Sequence, residues 1–293
     1  MRAKVMVRKT IPNFDLSQIW QSGQCFRMRQ VEDGQPGAGP EAAESGSVAP
    51  THFEVIARAR YLKIEQTGDT CAFFCSEEEF ETFWKQYFDL DNDYSLYIET
   101  INPRDTYLNG AAAYGSGIRI LRQDLWEMIV SFLISQQNNI VRIRRCIQNI
   151  CEKYGEKMTT PDGHTYFAFP TPEALAGLED DDLKLCNLGY RSKYVVRAAK
   201  SVVSGEIDLE AIYEMNYKKA REELLRFFGI GEKVADCICL FALHHLQAFP
   251  VDTHISQAMT AHYKRGFPNR RYRGFQGVMQ QYIFYYELMK PWE

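Results

Sequence analysis

Residues 220–256 read AREELLRFFGIGEKVADCICLFALHHLQAFPVDTHIS, and this stretch constrains the fold more than any other. Leu224, Leu225, Phe227 and Phe228 make one apolar stripe, and Val234, Ile238, Phe241 and Ala242 make a second at helical spacing. Between them, Gly229 and Gly231 flank Ile230 and supply positive φ or close backbone approach. The pattern predicts a helix, a tight hairpin and a second helix, with Lys233 in the first turn of the second. Pro250 then stops the chain, and Asp252 in Val-Asp-Thr-His is placed to cap a third helix.

A lysine at a helix start carries chemical information. The positive end of the helix dipole and partial burial both favour a neutral amine, the form that attacks carbon or builds a Schiff base. A lone lysine reads first as a solvated side chain lying along its stem. The hairpin before Lys233 and the aspartate after it favour chemistry.

Residues 225–240 together with Pro250–His254 resemble the helix-hairpin-helix DNA glycosylases, and Gly-Ile-Gly-Glu-Lys-Val-Ala-Asp-Cys-Ile-Cys-Leu is similar to the 8-oxoguanine branch of that superfamily. The resemblance runs from about Phe14 to the end of the sequence. It implies an α+β fold: an N-terminal antiparallel sheet domain over 1–115, packed on an all-helical helix-hairpin-helix domain over 116–293.

Composition narrows the alternatives. The 293 residues are 45% hydrophobic and 25% charged, as in globular proteins. No apolar run approaches the ~20 residues of a membrane span, and the N-terminus has no apolar signal core, so a cytosolic setting is expected. The eight cysteines form no Cys-x-x-Cys pair and none follows Cys239. Iron–sulfur relatives carry a C-terminal four-cysteine loop that this chain lacks, and reduced, buried thiols are expected. Zinc at Cys71 and Cys75 with a distant histidine is the minor alternative. Net charge is −4, but Arg142, Arg144, Arg145, Arg191, Lys193, Arg197 and 264–273 give a local basic footprint suited to phosphate.

Along the chain, Cys25–Gln30, His52–Ala57, Tyr61–Gln66 and Cys71–Phe74 read as strands. Glu32–Pro50 is rich in Gly, Pro, Ala and Ser and reads as a mobile insertion between two of them. Ser76-Glu-Glu-Glu79 opens a helix with a capping box. Beyond Ile118 the periodicity is helical: one face at Leu121, Leu125, Ile129 and Leu133, another at Ile140, Ile143, Ile147 and Ile150 until Gly155. Pro161–Pro172 reads as a loop, Pro172 starts a helix, Leu188–Arg191 is a second break, and 275–289 is a last helix.

The resemblance also distributes roles. Lys233 would attack the sugar C1′, and Asp252 would stabilise the oxocarbenium-like charge. Trp20–Arg27 resembles the segment whose glycine, here Gly23, accepts the proton on N7 of 8-oxoguanine. Cys237 would face the base one turn after Lys233, Gln280 would read its Watson–Crick edge, and Phe284 would stack on it. The spacing of 280 and 284 puts both on one helix face. Gln137, Asn138 and Asn139 would form the loop that enters DNA, although family members carry Asn where this chain has Gln137. Arg142 and Arg191 would contact the estranged cytosine, Tyr190 would wedge, and His254 would meet phosphate. Gly229 and Gly231 would offer backbone N–H groups to phosphate.

The expected activity is therefore a bifunctional glycosylase and AP lyase on double-stranded DNA containing 8-oxoguanine opposite cytosine. No metal site or obligate cofactor is expected beyond a structural cation at the hairpin carbonyls. The protein is expected to be a monomer without a membrane, in the cytoplasm with the nucleoid or in a nucleus. The competing readings are an oxidised-pyrimidine glycosylase, an alkyl-purine glycosylase and a non-catalytic DNA-binding protein.

Overall fold

The computed structural model describes residues 5–31 and 49–290. Of the expected insertion at 32–50, positions 32–48 lie outside the described residues. Strands β1 (Val7–Thr10), β2 (Met28–Val31), β3 (Thr51–Ala57), β4 (Arg60–Thr67) and β5 (Thr70–Phe73) form an antiparallel sheet in the order β1-β5-β4-β3-β2. Ala57 pairs with Arg60 and Thr67 with Thr70, so two-residue turns join these strands. Arg58 and Gly68 supply the left-handed φ that such turns require, 54° and 55°.

Register decides which face is apolar. Val55 lies opposite Leu62 and Ile64 opposite Phe73, and all four are buried. They share a core with Phe80, Trp84 and Phe88 from and just beyond the helical segment 77–87, and with Leu16 and Ile19. Ser76 caps that helical segment as expected, but the Glu79 carboxylate accepts Trp84 Nε1 at 3.0 Å.

Two short elements depart from the sequence reading. Leu16–Gln21 is a helix capped by Asp15, inside a region read mainly as strand. Its six residues are too few to show a 3.6-residue period. Within the expected loop 161–172, Thr165–Phe167 (β7) pairs with Lys157–Thr159 (β6). Tertiary contacts hold this ribbon: Tyr166 donates to the Ala59 carbonyl at 2.9 Å and its ring lies against Tyr61.

The second core is helical. Every residue of the Leu125–Ser135 helix except Ser135 is buried, the mark of a central helix. Around it stand Ile140–Tyr154, Ser192–Val203, Glu232–Phe241 and Gln276–Met289. Tyr94, Leu108, Ala111 and Ala112, from the helices Tyr94–Glu99 and Thr106–Tyr114, belong to this same core.

Buried polar groups join the two cores. Arg119, 3% exposed, donates to the carbonyls of Pro12, Asn13, Asp89 and Asn92 at 2.8–3.1 Å. Arg27 and Glu127 approach to 3.6 Å with both side chains almost fully buried. The segment after Leu16–Gln21 runs along the seam, with Cys25 in the sheet core and Phe26 in the helical core. That course delivers Gly23 to the helical side.

Candidate active site

The hairpin follows from its glycines. The Tyr217–Leu224 helix ends before Leu225, and the Glu232–Phe241 helix starts with Gly231 as its N-cap. Gly229 has φ +95°, and a Cβ there would stand 2.8 Å from the Tyr194 ring. Gly231 has φ −99° and open space beside it, so it is needed for no steric reason of that kind. Lys233 is the second residue of the new helix, with its ammonium 5.8 Å from the centroid of the Phe132 ring. Asp236, for which no catalytic role is expected, instead accepts Tyr217 Oη at 2.7 Å and Arg221 Nε at 2.8 Å, fixing the two hairpin helices to each other.

Asp252 caps the Thr253–His262 helix: its Oδ1 accepts the Ile255 N–H at 2.9 Å. One cavity of about 60 Å³ is lined by Gly23, Lys233, Cys237, Asp252, Gln280 and Phe284, six residues singled out in the sequence. They come from four separate stretches of chain. Larger clefts of about 430 Å³ and 900 Å³ lie elsewhere, and no lysine lines either. Size alone is therefore a poor guide to the chemistry.

Burial pushes the Cys237 thiol up to about 11, against a smaller lowering pull from neighbouring Lys233, so it is a neutral thiol near pH 7. Gln280 is 4% exposed; its Nε2 donates to the Pro250 carbonyl at 3.1 Å, and its Oε1 is buried without a partner. An unpaired buried acceptor is costly, and it marks a place where a ligand donor fits. Phe284 lies over Gly23: a Cβ on Gly23 would be 3.4 Å from that ring. His254 stands edge-on to Phe284 at 5.9 Å, with Nδ1 buried and unpartnered.

The remaining expected DNA contacts form a second group at the surface. Gln137 is exposed at φ 47°, a left-handed conformation that a non-glycine residue holds at a cost. Tyr190 is 47% exposed, and Arg142 is exposed near the Asn187 carbonyl. Three others have internal partners. Asn139 caps the Ile140–Tyr154 helix through the Arg142 N–H at 2.9 Å. Asn138 donates to the Ile134 carbonyl at 3.1 Å. Arg191 is 4% exposed, donating to the Gln137 carbonyl at 2.9 Å and, through Nε, to Gln136 at 2.8 Å. Its guanidinium also lies over Tyr190. It orders the loop and leaves few donors for a base.

Sequence reasoning passed over half-buried Gln136 and buried Gln281. Gln136 donates to the Gly229 carbonyl and Gln281 to the Ser22 carbonyl. Glutamine is usually a surface residue, so no local signal marks these two. Cys71 and Cys75 are buried, and burial pushes each thiol up to about 12. Among the described residues no group of three or more His, Cys, Asp or Glu could hold a metal ion.

A helix-hairpin-helix with its lysine and a capping aspartate on one cavity defines the base-excision class of DNA glycosylases. Residues 6–129 match the 8-oxoguanine DNA glycosylase N-terminal domain, and 130–269 match the HhH-GPD superfamily of base excision DNA repair proteins. The chain belongs to the 8-oxoguanine DNA glycosylase family, the N-glycosylase/DNA lyases. It is 31% identical to a probable N-glycosylase/DNA lyase of Methanothermobacter thermautotrophicus over 96% of this chain and 94% of that one. A 38% match to the N-glycosylase/DNA lyase of Saccharomyces cerevisiae spans 50% of this chain and 42% of the yeast protein. The structure of the Clostridium acetobutylicum 8-oxoguanine glycosylase/lyase superposes with a TM-score of 0.84 at 36% identity, covering 97% of each chain. The sheet followed by a helical domain is thus the family architecture, as the sequence indicated. No described helix is long and apolar enough to cross a membrane.

Proposed function

We propose that this enzyme excises 8-oxoguanine opposite cytosine from duplex DNA and then cleaves the strand through a Schiff base on Lys233. One observation carries the reading: Lys233, Asp252, Gly23 and Gln280 line the same cavity. The base swings out of the helix into that cavity. The Lys233 amine bonds to C1′ as the C1′–N9 bond breaks and its electron pair leaves with the base, while the Asp252 carboxylate stabilises positive charge on the sugar. Collapse to the imine opens the sugar, and loss of a C2′ proton expels the 3′ phosphate.

Selection of the base follows from hydrogen-bond arithmetic. The free Gln280 Oε1 accepts from N1–H and the amino group of a guanine edge, because its Nε2 is already committed to Pro250. The Gly23 carbonyl accepts the N7–H that 8-oxoguanine has and guanine lacks, so guanine sets acceptor against acceptor at a cost of about 1–3 kcal/mol. Exposed Arg142 and Tyr190 suit the cytosine side and the gap. A solved complex of the Clostridium protein holds double-stranded DNA with cytosine opposite 8-oxoguanine, which supports this partner.

The same reading needs no obligate cofactor and one protein copy per lesion, in a compartment that holds DNA. A hairpin cation would share the Phe227 and Gly229 carbonyls with hydrogen bonds from Ile230 and Gln136.

The test is borohydride trapping on duplexes carrying 8-oxoguanine, thymine glycol or 3-methyladenine. Trapping on 8-oxoguanine alone, lost in Lys233→Gln while damaged-DNA binding persists, is the expected result. Trapping on thymine glycol would reassign the pocket, and none on any lesion would leave a DNA-binding protein.

A further inference from the structure

Gly23 sits between two carbonyls that are both held. The Ser22 carbonyl accepts Gln281 Nε2 at 2.7 Å, and the Gln24 carbonyl accepts Gln123 Nε2 at 2.8 Å. Ser22, Gln24, Gln123 and Gln281 are each no more than 5% exposed. The Gln24 side chain is fixed in turn, accepting the Leu121 N–H at 2.9 Å and donating to the Arg119 carbonyl at 2.9 Å. Among the described residues, no donor reaches the Gly23 carbonyl between them.

Gly23 is half-buried at the cavity with φ +73°, and its carbonyl is left open between two buried residues whose carbonyls are both paired, so it is free to accept from whatever enters the cavity. Its direction depends on the peptide planes on either side, and those planes are set by the two glutamine amides. Gln281 also neighbours Gln280 on the Gln276–Met289 helix. That helix therefore touches both polar sides of a bound purine, one through the Gln280 amide and the other through the Ser22 peptide.

We propose that Gln281 and Gln123 are positioning residues that hold the Gly23 carbonyl at the spacing needed to accept N7–H. The proposal rests on the reading that 8-oxoguanine is the base. It makes recognition of N7–H depend on two side chains that act through the Gly23 carbonyl, although Gln281 also lines the cavity.

The test compares Gln281→Met, close in size but without a donor, and Gln123→Met with wild type. Two duplexes are used, one with 8-oxoguanine and one with an abasic site, which offers Gly23 no base to read. Single-turnover excision of 8-oxoguanine, divided by strand cleavage at the abasic site, is expected to fall about tenfold in each variant. An equal loss on both duplexes, or no loss, overturns the proposal and leaves the glutamines as packing. Should Gln281→Met fail to fold, seen as a lost melting transition, Gln123→Met makes the same measurement from the other side. Wild type that cleaves abasic DNA but ignores 8-oxoguanine would instead overturn the lesion assignment.

Discussion

Gln136 donates through Nε2 to the Gly229 carbonyl at 2.9 Å, tying the loop before Ile140–Tyr154 to the hairpin. This bond couples the loop to the hairpin. Gln136→Ala removes one hydrogen bond, about 1 kcal/mol, and should weaken duplex binding several-fold whether or not a lesion is present. Fluorescence anisotropy with damaged and undamaged duplexes checks this; a loss confined to the damaged one would move Gln136 into base recognition.

Asp252 is placed for two separable roles. Its Oδ1 caps a helix, which serine or asparagine can also do, and its carboxylate faces the cavity. Asp252→Asn and Asp252→Ser should keep the melting temperature within a few degrees while excision falls by orders of magnitude. Asp252→Ala should lose about 1 kcal/mol of stability as well. Equal activity in the Asn variant and wild type would reduce Asp252 to its cap.

Gly229 is constrained twice, by φ +95° and by the Tyr194 ring. Gly229→Ala should cost at least about 1 kcal/mol through backbone strain. Adding Tyr194→Ala relieves the clash but not the strain, so the double variant should recover only part of the loss in a denaturant titration. Full recovery would assign the whole effect to the ring.

Glu127 gives a pH signature. Burial pushes its carboxyl up to about 7 against the opposing pull of Arg27, while the unfolded chain releases that proton near about 4.3. Between these values the folded chain holds more protons, so this group's contribution to stability falls as pH rises and the loss is complete above about 7. Glu127→Gln removes the titration. The stability of the variant relative to wild type should therefore improve by an amount on the order of 3 kcal/mol between pH 4 and 8. Urea midpoints across that range measure it, and parallel curves would place the proton elsewhere.

The hairpin was readable because its signals are local. Two glycines, the helix periods around them and Pro250 before Asp252 fix Lys233 and the third helix within a few turns of chain. The strands around Val55 and Ile64 showed in alternation for the same reason. Gln281 and Ser22 carry no such mark, since only the closed fold brings together residues so far apart in sequence. Arg191 reads as a surface cation, yet the carbonyls of 136 and 137 draw it inward. The Leu16–Gln21 helix was too short to announce itself, and the β6–β7 ribbon rests on Tyr166 reaching a distant turn.

The course of Gly23 along the seam has an evolutionary consequence. Its turn belongs to the segment after Leu16–Gln21, whereas Lys233 belongs to the hairpin, and the two meet only across the cavity. Descent can therefore alter them at different tempos. If the proposed roles hold, changes around 20–27 would retune which lesion is removed while the strand-cutting apparatus is inherited intact, so a new repair specificity could arise in a lineage without reinventing the reaction.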